Sequence, residues 1–239
     1  MGATRMTCET LVIDLSHHNP EPDWEALKAG GIVGVIMKAS EGETYVDPTY
    51  QPRKQNALAA GLATASYHFF HGNSAAEMAH YLLVADPVRG ERVVIDHEAE
   101  ATLDQLIRAV RYIRETRPDL KVTIYSGHLI KDQLGDSKNS YLAINTSLWI
   151  AHYTEEAQPS WPKGTWPAWS LWQYTDHASI EGCSAPVDGN RWNGTEDNLL
   201  RWLGPAPRRL PQPQPLTVFV TIQKPKGVEV KVMVEEVEG

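Results

Sequence analysis

From Leu11 onward the chain alternates two hydrophobic rhythms: short apolar runs of strand length, and longer stretches in which apolar residues recur at helical spacing. Leu11 to Leu15 is the first run, and Asp23 to Gly30 follows as a helix with Asp23 as its cap and Gly30 as its stop. The beat repeats with strands at 33–38, 63–69, 93–96 and 122–125, and with helices at 48–60, 75–85 and 103–116. Within the last of these helices Leu103, Leu106, Ile107, Val110 and Ile113 form one apolar stripe, and Pro118 marks its end. Strands and helices in strict alternation predict a parallel sheet covered by helices, and a run of this length fits an α/β barrel.

After Tyr125 the rhythm changes. The helix expected at 128–134 is short, the strands at 148–151 and 170–173 are separated by loops rich in Pro and Trp, Val187 and Asp188 suggest a last short strand, and 196–203 reads as a closing helix. The fold expected is therefore an irregular, flattened (β/α) TIM-like barrel over residues 1–204, with reduced helices in its second half. Residues 205–215 hold five prolines and read as a stiff linker. Residues 216–239 carry two alternating β-branched runs around Lys224-Pro225-Lys226-Gly227, the pattern of a β-hairpin. Two strands alone present open edges, so this tail is expected to pair with a copy of itself as a homo-oligomer, or to bind a cell wall.

Composition narrows the partners. In 239 residues the formal charge is −8, and no basic cluster stands out, which argues against nucleic acid. No apolar run is long enough to span a membrane, and the first ten residues lack the apolar segment of a signal peptide, so the protein is expected to stay in the cytoplasm until released; Met6 is an alternative start to Met1. Cys8 and Cys183 match no metal spacing and are expected as free thiols. Eight Trp is a high count, and Trp149, Trp161, Trp166, Trp169 and Trp172 fall in one stretch, suited either to a core or to stacking on sugar rings.

The candidate chemistry is a set of acids at strand ends. Arg92-Val93-Val94-Ile95-Asp96-His97-Glu98 places two carboxylates at i and i+2, on one face of a strand, with His97 turned away. Crowded acids push each other's proton affinities apart, so one holds its proton near neutrality while the other stays ionised. Asp14 closes the first strand and Asp188 the last, and in a closed barrel those strands are neighbours, so four acids share one mouth. His17 and His18 are adjacent as a metal pair could be, but spacing offers no third ligand and they read as polar lining; no metal or cofactor is expected.

Val12-Ile13-Asp14-Leu15-Ser16, Lys38-Ala39-Ser40-Glu41-Gly42, Ala65-Ser66-Tyr67-His68-Phe69, Asp96-His97-Glu98, Ile124-Tyr125-Ser126, Leu148-Trp149-Ile150-Ala151, Trp172-Gln173-Tyr174 and Val187-Asp188 resemble, in order, the motifs of the glycoside hydrolase family 25 lysozymes. The resemblance covers about residues 11 to 203. It implies cleavage of the β-1,4 bond between N-acetylmuramic acid and N-acetylglucosamine in bacterial peptidoglycan, for which a charge-stabilising Asp96 and an attacking substrate acetamide each predict retention. With no signal segment read at the start, a phage-type endolysin that reaches the wall through a holin-made membrane lesion fits best, and a bacterial enzyme exported by another route is the alternative. The resemblance also implies Glu98 as general acid, Asp96 as its partner, Asp14 and Asp188 as the other two acids, and a sugar groove lined by Tyr67, Tyr125, Trp172, Gln173, Lys38, Glu41, Phe69 and Trp149. Two alternatives stand beside it: a chitinase-like glycosidase, whose D-x-D-x-E pattern requires an acid where this chain has Val94, and a non-catalytic wall-binding barrel.

Overall fold

The computed structural model describes residues 10–204; the linker at 205–215, the hairpin tail at 216–239, Cys8 and the alternative start lie outside the described residues. The chain runs β1 (Val12–Leu15), α1 (Trp24–Ala29), β2 (Gly34–Glu41), β3 (Tyr45–Val46), α2 (Tyr50–Ala59), β4 (Ala63–Phe69), α3 (Ser74–Ala85), β5 (Arg92–Asp96), α4 (Leu103–Thr116), β6 (Lys121–Ser126), α5 (His128–Leu134), α6 (Ser140–Asn145), β7 (Thr146–Ala151), β8 (Leu171–Ala178), β9 (Val187–Trp192) and α7 (Glu196–Leu203). Eight strands close into a barrel because β1 pairs with both β2 and β9, while the two-residue β3 hangs on the end of β2.

Six of the eight pairings that close the barrel are parallel, as alternation predicts, but β9 is antiparallel to both β8 and β1. The parallel sheet expected from the alternation up to Tyr125 does not extend to that last strand. Its physical reason is the missing helix: β8 passes to β9 through a short connection, and without a crossover the next strand returns in the opposite direction. Gly182, at φ +92°, fastens that connection against α1, and an added Cβ would stand 2.6 Å from the Asp23 carbonyl oxygen.

Period-two alternation sorts side chains into two layers. Ile13, Leu15, Val35, Met37, Val93, Ile95, Val122, Ile124, Leu148 and Ile150 face outward under the helices. The apolar stripe of α4 supplies Leu106, Val110 and Ile113 to this layer, and its start is fixed by Thr102 and Gln105, which cap each other's backbone N–H groups. No helix lies between β7 and β8; there Trp161, Trp166 and Trp169 join the outer core and do the covering.

The inner layer holds Val12, Ile36, Ala63, Ala65, Val94, Tyr125, Trp149 and Leu171, and α7 plugs the bottom with Leu199 and Leu203. Gly34 admits the Leu203 side chain, which would stand 2.4 Å from a Cβ. Also at the bottom, buried Arg92 donates from Nε to the Trp202 carbonyl at 2.7 Å and from a terminal nitrogen to Thr123 Oγ1 at 2.6 Å, with its plane 3.8 Å over the Trp202 ring. Burial pushes this guanidinium down to about 9, so it stays charged at neutral pH. The barrel is therefore cationic at its floor and acidic at the opposite end.

Candidate active site

The mouth is built by the C-terminal ends of the parallel strands and by β9, whose reversed direction brings its first residues there. Asp14 and Asp188 are direct cross-strand partners of β1 and β9. Asp14 is buried and accepts from Gln173 Nε2 at 3.2 Å to each oxygen and from Asn190 Nδ2 at 2.8 Å. Burial and the nearby Asp188 charge raise its proton affinity well above the usual carboxylate range, against the pull of those amide donors. Asp188 is half-buried and also raised, first by burial, with a hydrogen bond to Asp14 acting the other way. The two acids thus share a proton-binding site.

Behind them runs a hydrogen-bond chain. Tyr125 and Tyr153 both donate to Gln173 Oε1, at 2.8 and 2.9 Å, and Trp149 Nε1 donates to Asn190 Oδ1 at 2.7 Å. These contacts fix both amide orientations, so each NH2 is aimed at Asp14. Burial and the surrounding carboxylates raise Tyr67 and Tyr125, which keeps both phenols protonated as donors.

Asp96 and Glu98 sit at and just beyond the end of β5 in contrasting surroundings. Asp96 is 5% exposed and its Oδ1 has no hydrogen-bond partner among the described residues. Burial, then Glu98, Asp14 and Glu41, raise its proton affinity well above normal, and Lys38 is the charge that opposes them. Glu98 is open to solvent, with Oε1 lying 3.8 Å from where a Cβ on Gly127 would stand. It too is raised, by partial burial and by Asp188, with His128 opposing. As alternation requires, His97 turns outward and its Nε2 pairs with Gln133 Oε1 at 2.8 Å.

On the opposite wall Lys38 Nζ contacts Glu41 Oε2 at 2.6 Å, Glu41 Oε1 meets His71 Nε2 at 3.1 Å, and the ammonium lies 5.2 Å over Phe69 and 5.6 Å over Tyr45. Residues three apart on a regular strand face opposite ways. Here the register against β4 slips between Lys38 and Ser40, and that bulge turns Glu41 back to the inner face. His17 is held by Asp47, whose Oδ2 takes both its backbone N–H at 2.9 Å and its Nδ1 at 3.0 Å, and His18 packs beside it with ring centroids 3.9 Å apart.

A family model for the glycosyl hydrolases family 25 matches residues 13–183. The chain belongs to that family. Among curated relatives, Lysozyme M1 of Streptomyces globisporus is 28% identical over 208 residues, covering 79% of this chain and 69% of its own. Among solved structures, the bacterial lysozyme from Streptomyces coelicolor superposes with a TM-score of 0.69 at 25% identity, covering 85% of this chain and 99% of its own. The CTP1L endolysin superposes with a TM-score of 0.65 at 27% identity, covering 79% and 67% respectively.

In this family 25 glycoside hydrolase, Asp14, Asp96, Glu98, Asp188, Tyr67, Tyr125, Gln173, Lys38, Glu41 and Phe69 gather around one barrel mouth. Two expected groove residues do not. Trp172 neighbours Gln173 on the same strand, so it takes the outer face, where it is 1% exposed and donates to the His152 carbonyl at 2.7 Å. Trp149 is inside the barrel but 2% exposed, packed on Tyr125 with ring centroids 4.5 Å apart; it supports the site from beneath and offers no groove surface. Sequence reasoning missed Asn190, Tyr153 and His71. Asn190 carried a signal, standing two residues after Asp188 on the same face of a strand, whereas Tyr153 and His71 sit on loops without a period to reveal them.

Proposed function

We propose that the chain is a lysozyme, an N-acetylmuramidase that cleaves the β-1,4 bond between N-acetylmuramic acid and N-acetylglucosamine in bacterial peptidoglycan. The observation that carries this reading is the contrast within the β5 pair: a solvent-open Glu98 with raised proton affinity beside a buried Asp96 whose Oδ1 has no hydrogen-bond partner among the described residues. The names of the relatives support the substrate.

Glu98 in its protonated form, which its partial burial favours, donates to the departing glycosidic oxygen, which is too poor a leaving group to depart as an alkoxide. Positive charge then develops at the anomeric carbon. Asp96 in its ionised form meets that charge directly, or accepts from the substrate's 2-acetamido N–H so that the acetamide carbonyl attacks the anomeric carbon. In either route the anomeric carbon is displaced twice, first by an Asp96 oxygen or the acetamide oxygen as the leaving sugar departs, then by a water that gives its proton to the now ionised Glu98, so configuration is retained. Asp14 and Asp188 keep the field at the mouth negative, and Tyr67 presents a phenol donor to a sugar oxygen, while Tyr125, whose proton goes to Gln173, holds that amide against Asp14. Val94, two residues before Asp96, is fully buried among apolar side chains, so the third acid of a chitinase-like series is absent from this strand.

The test is turbidity of purified cell walls together with the appearance of new reducing ends, and mass spectrometry of the released muropeptides to read the bond cut. Glu98→Gln is expected to slow clearing by about 10²- to 10⁴-fold, the usual worth of a general acid. Binding to walls without clearing by the parent chain would instead favour a non-catalytic wall-binding barrel. We place the activity in bacterial lysis by a phage, with the enzyme held in the host cytoplasm until a membrane lesion opens; likeness to the CTP1L endolysin supports this.

A further inference from the structure

Behind the Lys38 wall, on the outer face of the same strands, lies a second polar cluster that the reaction does not touch. Ser40 Oγ meets His68 Nδ1 at 2.9 Å, and His68 Nε2 meets Glu77 Oε2 at 3.1 Å. Ser40 and His68 are 0% exposed and Glu77 1%. Burial would push Glu77 up, but His68 and the backbone N–H groups of His71 and Asn73, at 2.8 and 2.6 Å, hold it below its ordinary value. Burial pushes His68 down despite Glu77, with His80 and His71 adding to the effect. The protonation pattern follows: Glu77 is ionised, a neutral His68 donates from Nε2, and Ser40 donates its hydroxyl proton to Nδ1.

A serine, a histidine and a glutamate in a row suggest a nucleophile, but no substrate can reach a serine with no exposed surface. The row instead fastens a distortion. Ser40 pairs with His68 immediately after the β2 register slip, so its bond to the histidine holds the bulge that turns Glu41 inward. Glu77 makes the second attachment, since it grips the backbone of His71, whose side chain holds Glu41 on the other face.

We infer that Ser40, His68 and Glu77 are positioning residues for the glycosidase reaction, holding the β2 bulge so that Lys38 and Glu41 stand beside Asp96 at the barrel mouth. This rests on the reading of Asp96 as the ionised partner of Glu98. The groups facing Asp96 are Glu98 on its own strand, Lys38 and Glu41 on β2, Asp14 on β1, Tyr67 on β4 and Tyr125 on β6. Among these described residues Lys38 is the cation, so loosening the bulge withdraws the charge that favours the ionised carboxylate. The acidic limb of the pH profile then moves to higher pH.

The experiment compares pH profiles of kcat/KM for the parent, Ser40→Ala, Lys38→Met and the double variant. Ser40→Ala is expected to move the acidic limb upward and to lower the plateau by about fivefold, the worth of one net hydrogen bond. Lys38→Met is expected to move the same limb, and Ser40→Ala to move it no further in the Lys38→Met background. An unmoved limb, or an equal shift with and without Lys38, overturns the inference. Glu77→Gln, which keeps the side-chain volume, is read identically if Ser40→Ala fails to fold. Carboxyl-carbon NMR of Asp96, assigned with Asp96→Asn, follows the same titration without needing turnover. An inactive parent whose Asp96 signal still shifts in Ser40→Ala would defeat the lysozyme reading and leave the positioning role standing; an unshifted signal defeats the positioning role.

Discussion

Asp96→Asn is expected to make the protein more stable and less active, because the site concentrates charge that folding would rather avoid. Asp96 and Glu98 stand two residues apart on one face, a spacing of about 6.6 Å at the usual strand rise. At an effective dielectric constant of 20, two full charges at that distance repel by about 2.5 kcal/mol. Asp14 and Glu41 add to the repulsion and Lys38 removes part of it, so a net gain of about 1–3 kcal/mol on neutralisation is expected at pH 8. The sign with pH follows from linkage. The folded chain holds the Asp96 proton more tightly than the unfolded chain, so from about pH 4 up to the raised folded value the native state binds more protons and its stability falls as pH rises. The asparagine has no proton to lose. Urea unfolding at pH 4, 6 and 8 should therefore show a gap between variant and parent that widens with pH, while wall clearing by the variant collapses. A parent equal to or more stable than the variant at pH 8 would refute the reasoning.

Asn190→Leu has the opposite expectation for stability. It strips one amide donor from Asp14 and orphans the Trp149 indole N–H, and about 3 kcal/mol of stability should be lost in urea unfolding after the leucine's apolar gain is counted. For the biological role, expression of the chain inside a bacterium should leave cells intact until a membrane-permeabilising protein is co-expressed; lysis by the chain alone would argue against a lesion-dependent lysin.

Much of the barrel is legible in the chain because its first half is built from local signals. The stripe of α4, the cap at Asp23 and the apolar run before Asp96 each fix an element without reference to the rest. Strand direction is different. The Val187-Asp188 run reads the same whether β9 runs up or down, and only the short connection from β8 decides it. Asp14, Asp96 and Glu98 could be placed together because a strand end is a sequence property; Asp188, expected to end the last strand, instead begins β9, and it reaches the same mouth because that strand runs the other way. Trp172 went astray because adjacent residues on a strand cannot share a face, and Gln173 holds the inner one. The bulge that aligns Lys38 with Glu41 depends on Ser40 finding His68 across 28 positions, a contact that no local pattern announces. The small helix α6 and the strand β3 are too short to show a period.

The pairing of Asp14 with Asp188 has a consequence for synthesis. One partner is among the first residues of the barrel to leave the ribosome and the other among the last, and neither strand has its final neighbour until β9 is laid against β1. A nascent or prematurely cut chain that ends at β8 carries Glu98 and Asp96 but an open wall and an incomplete field. A chain cut before β9 is therefore expected to be inactive, because the pairing that brings Asp188 beside Asp14 needs nearly the whole barrel to have been made.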